Sequence, residues 1–255
     1  MFYRYGFYRV MRTIKLVIEY DGTNYLGWQV QPRGLTVQGV IEEKLSILTG
    51  EAIRLVGAGR TDSGAHAYGQ VAHFKTESRM EASSIQKALN SLLPADIVIR
   101  EGEDASAAFH ARKSARSKVY EYHILNRDIR PALLRGYAWH VSQKLDLEEM
   151  KKSAQYLVGE HDFSCFRSVG TPTRTAVRKV EGIEWKTSQS GLIQFEIEAN
   201  GFLKQMVRAI VGTLVEVGRG KIRSEEFLAI LESRDRKRAG PTAPARGLFL
   251  KEVKY

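Results

Sequence analysis

Ile14, Leu16, Ile18 and Tyr20 alternate with Lys15, Val17 and Glu19, which is the two-residue period of a half-buried strand. The period then changes. Val37, Val40, Ile41, Lys44, Leu45 and Leu48 form a helical stripe interrupted once, with Thr36 as its cap and Gly50 as its stop. The runs IRLVGA (53–58) and GQVAHFKT (69–76) read as strands on either side of a glycine-rich loop. Ser84 caps a second helix carrying Ile85, Ala88, Leu89 and Leu92 on one face, Pro94 ends it, and DIVIREG (96–102) is another strand. The resulting order is β-α-β-β-α-β, that of a ferredoxin-like unit.

The remainder repeats that order with longer pieces. SKVYEYHIL (117–125) is a strand, DLEEMKKSAQYLVG (146–159) a capped helix, and VRKVEGIEWKT and LIQFEIEA are two strands separated by SQSG. A long helix over 202–218, a short one over SEEFLAILES and a final strand GLFLKEVKY complete the set. Within the long helix, Met206, Ile210, Leu214 and Val217 read as core. The pattern predicts an α+β fold of two ferredoxin-like (βαββαβ) halves. Their antiparallel sheets meet edge to edge or face to face, with an active-site cleft between them. The divisions are an N-terminal extension over 1–12, a first half over 13–108 and a second over 109–255. The repeat lies in element order and not in sequence. No Pro/Ser-rich linker separates the halves, which argues for one body.

The 255 residues, 43% of them hydrophobic, suffice for a real core. No run approaches the roughly 18 apolar residues of a membrane span, and arginines interrupt the aromatic N-terminus MFYRYGFYRVMR, so the expected setting is cytoplasmic, with no membrane partner. Met11 is an alternative to Met1 as the start, since the first regular pattern begins just after it. Cys165 is the single cysteine, so no disulfide can form within the chain, and the six histidines lack metal-ligand spacing. No metal or redox cofactor is expected.

Charge changes the picture through its location. Residues 1–105 carry 12 Lys/Arg and 12 Asp/Glu, so the whole net charge of +10 belongs to the rest of the chain. Between 111 and 135, Arg112, Lys113, Arg116, Lys118, Arg127, Arg130 and Arg135 face only Glu121 and Asp128. Such a block is either a solvated surface or a phosphate-binding one, and Arg112, Arg116 and Lys118 are the candidate nucleic-acid contacts.

The candidate chemistry lies in VGAGRTDSGAHAYGQVAHF (56–74). A dinucleotide fingerprint fails because its third glycine would fall on Asp62, and a P-loop fails because Ala65 and His66 stand where Lys and Ser/Thr are needed. What remains is a tight loop bearing Asp62, with Arg60 two residues earlier. Asp62 is either a turn residue bonding its own backbone or a carboxylate at which small neighbours make room for a ligand while Arg60 and a second cation keep it ionised. No second carboxylate stands in the loop to support paired-acid glycoside hydrolysis.

GAGRTDSGAHAYGQVAHF, FHARKSARSKVYEY, DFSCFR and NGFLKQMVRAIVGTLVEVGRG, in this order, strongly resemble the TruA-type tRNA pseudouridine synthases, over a span from about Ile14 to Tyr255. The resemblance implies an isomerase that converts uridine to pseudouridine at tRNA positions 38, 39 and 40, in the anticodon stem-loop, and works as a homodimer. By the same resemblance Asp62 is the catalytic acid, and Tyr120 stacks on the target base. Alternation alone does not separate Tyr120 from Tyr122. Arg208 corresponds to the arginine that pairs with the acid, against the alternative of a surface ladder with Lys204. Arg60 corresponds to a residue that assists nucleotide eversion, against a simple counter-ion for Asp62. Leu248 corresponds to a residue lining the uracil pocket, against plain core. Phe202 and His110 read as structural. The rivals are a synthase acting at other tRNA positions and a catalytically silent RNA-binding module, to which a negative charge near phosphates would be of no use.

Overall fold

In the computed structural model, which describes residues 11–168, 170 and 173–255, the alternation at the start of the chain becomes strand β1 (Arg12–Tyr20). Ile14, Leu16 and Ile18 are fully buried, each worth about 1.5–3 kcal/mol relative to exposure. Helix α1 (Val37–Thr49) starts where Thr36 accepts the Gly39 amide and stops at Gly50, which is left-handed with φ 72°. The first half continues with β2 (Val56–Gly57), β3 (His66–Thr76), α2 (Ala82–Leu92) and β4 (Ile97–Ala105). Its strands lie in the order β4-β1-β3, β2 pairs with β3, and every one of these pairings is antiparallel.

The second half comprises β5 (Ser117–Asn126), β6 (Trp139–Val141), α3 (Leu147–Gln155), β7 (Gly159–Asp162), β8 (Val177–Thr187), β9 (Leu192–Ala199), α4 (Met206–Gly218), α5 (Ser224–Ser233) and β10 (Leu248–Lys254). Its order is β10-β5-β9-β8-β7, with β6 added in parallel to β5. The halves meet edge to edge. Phe249 and Leu250 of β10 pair in parallel with His66 and Ala67 of β3, making one continuous sheet among the described residues.

Several elements depart from the sequence reading. The strand expected over 53–58 shrinks to two residues, because β3 offers it partners only at His73 and Ala72. Ser84 lies inside α2, whose N-cap is Glu81 with no side-chain cap bond. The long helix starts at Met206 and not at 202, since Gln205 takes a left-handed φ of 63° that the helix cannot continue. Lys204 therefore precedes α4, and the ladder it would form with Arg208 does not exist. Strands β6 and β7 are too short to show a period. The N-terminal residues before Met11 fall outside the described residues.

Beside the apolar core, β5, β9 and β10 share a polar cluster. Glu121 bonds His123, accepts from Gln194 Nε2 at 2.9 Å and lies 3.2 Å from Lys251 Nζ, and Lys251 also bonds Glu196. Burial works against the Glu121 charge, yet His123 and Lys251 hold its pKa below the usual carboxylate range.

Candidate active site

The loop between β2 and β3 is tied down from several sides. Trp28 donates its amide to the Thr61 carbonyl at 3.2 Å, the Tyr20 and Thr61 hydroxyls are 2.8 Å apart, and the Ala65 amide closes a turn onto the Asp62 carbonyl at 3.1 Å. Gly22 permits this approach, for a Cβ there would stand 1.9 Å from the Ala65 carbonyl oxygen. His66 fastens the far end of the loop to the second half. Its Nδ1 lies 3.1 Å from the Gly22 amide nitrogen and 3.0 Å from Asp21 Oδ1, and its Nε2 lies 3.1 Å from the Gly136 carbonyl and 3.2 Å from that of Arg246. Burial lowers the His66 pKa, against the opposing charge of Asp21.

Asp62 thus faces the second half at a fixed height. Arg208, in the first turn of α4, donates Nη1 to Asp62 Oδ2 at 2.6 Å and Nε to the Ala243 carbonyl at 2.7 Å. The two side chains are 20% and 14% exposed, so solvent screens the pair only partly. Among the described residues Asp62 Oδ1 has no hydrogen-bond partner, which leaves one oxygen anchored and the other free.

Tyr120 and Tyr122 point to the same face of β5 but differ in what holds them. The Tyr122 hydroxyl donates to the Pro244 carbonyl at 2.7 Å. Among the described residues that of Tyr120 has no hydrogen-bond partner. It lies 3.8 Å from where a Cβ on Gly59 would be, its ring meets Phe202 edge-on at 4.8 Å, and burial raises its pKa with help from the charge of Asp62. Leu248 opens β10 opposite Tyr122, with Leu250 opposite Tyr120, and is 6% exposed.

Two parts of the sequence reading need correction. Arg60 is exposed and makes no ion pair with Asp62; among the described residues Arg208 is the counter-ion. Nor do the glycines all clear space. A Cβ on Gly57 would meet the Trp28 indole at 2.5 Å, and Gly64 serves a turn with φ 76°. A Cβ on Gly59 would make only ordinary contacts, 3.7 Å from Lys118 Cε and 3.8 Å from the Tyr120 hydroxyl.

The basic block is split by β5, whose ten residues span about 30 Å. Arg112 and Arg116 lie exposed before it and Lys118 near its start, beside Gly59, whereas Arg127, Arg130 and Arg135 are exposed beyond its far end. Burial lowers the Lys118 pKa, aided by Arg112 and Arg178. Phe202, which reads as structural in the sequence, touches Tyr120, and Arg178 carried no signal beyond its place in a strand. Among the described residues no group of three or more His, Cys, Asp or Glu is placed to hold a metal, and no helix is long and apolar enough to cross a membrane.

The site thus brings together a half-buried carboxylate held by one arginine, a buried tyrosine and a margin of cations. The chain belongs to the tRNA pseudouridine synthase family, whose model matches residues 16–113 and 153–255. It is 52% identical over 245 residues to tRNA pseudouridine synthase A of Acetivibrio thermocellus, covering 96% of this chain and all of that one. With the enzyme of the same name from Thermoanaerobacter pseudethanolicus it is 49% identical over the same coverage. It is accordingly an isomerase that forms pseudouridine in tRNA.

Proposed function

We propose that the chain isomerises uridine at positions 38, 39 and 40 of the tRNA anticodon stem-loop, with Asp62 as the catalytic acid group. The observation that carries this reading is the asymmetric hold on Asp62. Arg208 takes one oxygen at 2.6 Å and the other is left to meet a ribose or base. A uridine in a stem must leave its stack to reach that oxygen. Tyr120 offers an aromatic face and a spare hydroxyl to the everted base, Leu248 an apolar wall, and Arg60 an exposed cation to fill the vacated space. Arg112, Arg116 and Lys118 lie where the backbone would approach.

Atoms balance without a co-reactant. The N1–C1′ bond breaks, uracil turns, C5 joins C1′, the proton on C5 is lost and N1 regains one. The carboxylate serves as nucleophile at C1′, as nucleophile on the ring or as base at C2′. All three roles require its free oxygen.

The same proposal includes a cytoplasmic homodimer, divided in each chain near residue 108 into two ferredoxin-like halves. The order β4-β1-β3 with β2 on β3, mirrored by β10-β5-β9-β8, supports that division. Carbodiimide treatment followed by reverse transcription of tRNA incubated with the enzyme tests the site choice. Stops at 38–40 are expected, and stops confined to another arm overturn it.

A further inference from the structure

Among the described residues, one cluster of cations next to Tyr120 has no counter-charge. Lys118 of β5 pairs with Ala199 of β9, and Ala199 pairs with Val180 of β8, so these three form a cross-strand row. Arg178 lies two residues before Val180 on β8 and therefore emerges on the face that carries Lys118 and Tyr120. Its guanidinium leans over Gly201, where a Cβ would be 3.4 Å from Nε. The next residue, Phe202, packs on Tyr120. On the other side, Lys118 Cε comes within 3.7 Å of a Cβ built on Gly59, three residues before Asp62. Arg178, Gly201, Phe202, Tyr120, Lys118 and Gly59 thus trace a continuous margin beside the acid.

Among the described residues Arg178 donates Nη1 to carbonyls of its own segment, Thr175 at 3.0 Å and Val177 at 2.5 Å. Among the described residues neither it nor Lys118 meets a carboxylate. Burial lowers the pKa of both, and the charges of Arg112 and Arg178 add to the effect on Lys118. Cations crowded and partly desolvated in this way repel one another until an oxyanion joins them.

We propose that Arg178 and Lys118 form a binding subsite for one backbone phosphate of the RNA next to the target nucleotide, which makes Arg178 a positioning residue. Its planar fork matches two phosphate oxygens and Lys118 adds a point charge. Eversion swings a nucleotide about its backbone, and a phosphate fixed at this margin supplies the pivot. The subsite rests on the tRNA reading, and places part of the grip on β8, far in sequence from the 111–135 block.

The test compares wild type, Arg178→Gln, Arg178→Lys and Lys118→Gln by tRNA binding across a salt series and by steady-state kinetics, with thermal unfolding alongside. Product at 38–40 from the wild type decides the anticodon reading separately. Arg178→Gln should flatten the plot of log affinity against log salt by about 0.7–0.9 and raise KM about tenfold, with the main effect on KM and not kcat. Arg178→Lys should recover the slope, and Lys118→Gln should flatten it as Arg178→Gln does. A wild-type slope in either Gln variant, or a Lys variant as flat as the Gln variant, overturns the subsite.

Discussion

Arg208 Nη1 and Asp62 Oδ2 lie 2.6 Å apart although 146 residues separate them in the chain, and the bond joins a helix of the second half to a loop of the first. The arginine is held in turn by the Ala243 carbonyl, so the geometry of the acid depends on both halves. Arg208→Lys keeps the charge but loses the fork that reaches both partners. A fall in turnover of about 10²–10³ is expected, on the scale of losing one preorganised electrostatic contact, and a loss of about 1–2 kcal/mol in stability from the unsatisfied carbonyl. Single-turnover rates and urea unfolding measure the two effects, and wild-type turnover would show the pair to be merely structural.

Asp62→Asn preserves the shape of the loop and removes the nucleophilic or basic oxygen. Product formation should drop about 10⁴-fold, the scale seen when a reacting group is removed, while tRNA binding stays close to wild type because the cationic margin is intact. Mass spectrometry of the treated tRNA and a filter-binding titration check each half of the statement. Full turnover by this variant refutes the assignment of the acid.

Gly22 and Gly59 separate structural from functional use of glycine around one loop. Gly22→Ala drives a Cβ to 1.9 Å from the Ala65 carbonyl, and a destabilisation of about 1–3 kcal/mol is expected. Gly59→Ala places its methyl 3.7 Å from Lys118 and 3.8 Å from the Tyr120 hydroxyl, an ordinary contact, so the protein should fold as before. That methyl occupies room a nucleotide needs, so kcat/KM should fall with no change in melting temperature. Destabilisation by Gly59→Ala equal to that by Gly22→Ala would show Gly59 to be packed as tightly as Gly22.

These contrasts also mark where the sequence was legible. Strands β8 and β9 begin and end where the sequence reading puts them, because SQSG punctuates them, although β9 buries most of its length and β8 only Val180. The start of α4 was hidden, since Leu203 and Met206 continue an apolar pattern through Gln205, and a left-handed glutamine carries no mark in sequence. Motif resemblance singled out Asp62 and Arg208, but no local pattern could pair them. The Trp28 indole that fills the space over Gly57 comes from another loop, so the glycine-rich stretch looked emptier than it is. Arg178 was missed for a similar reason, as its meaning depends on two strand registers at once.

Glu121 ties stability to acid. Its folded pKa lies below its ordinary value of 4.5, so its contribution is present above that pH and is lost as the pH falls toward the folded value. Glu121→Gln should cost about 1–3 kcal/mol at neutral pH, because His123 and Lys251 lose a charged acceptor. It should also make stability less steeply dependent on pH below 4.5. Urea unfolding across an acid series reads both, and a variant curve parallel to wild type removes Glu121 from the account.

Tyr120 and Tyr122 give the sharpest comparison, since both are buried on one face of one strand and differ in a single bond. The Tyr122 hydroxyl is committed to the Pro244 carbonyl at 2.7 Å, next to the Ala243 carbonyl that holds Arg208. Tyr122→Phe therefore strands a carbonyl and should cost about 1–2 kcal/mol of stability, with turnover lowered only through the loosened segment. Among the described residues the Tyr120 hydroxyl meets no hydrogen-bond partner, so Tyr120→Phe should leave the melting temperature unchanged. If that hydroxyl handles a proton of the everted base, turnover should still fall about 10²-fold or more, with tRNA affinity retained because the ring that stacks remains. Thermal unfolding and single-turnover kinetics on both variants resolve the matter. Equal loss of stability in the two, or full turnover by Tyr120→Phe, would return Tyr120 to the core and leave the chemistry to the Asp62–Arg208 pair.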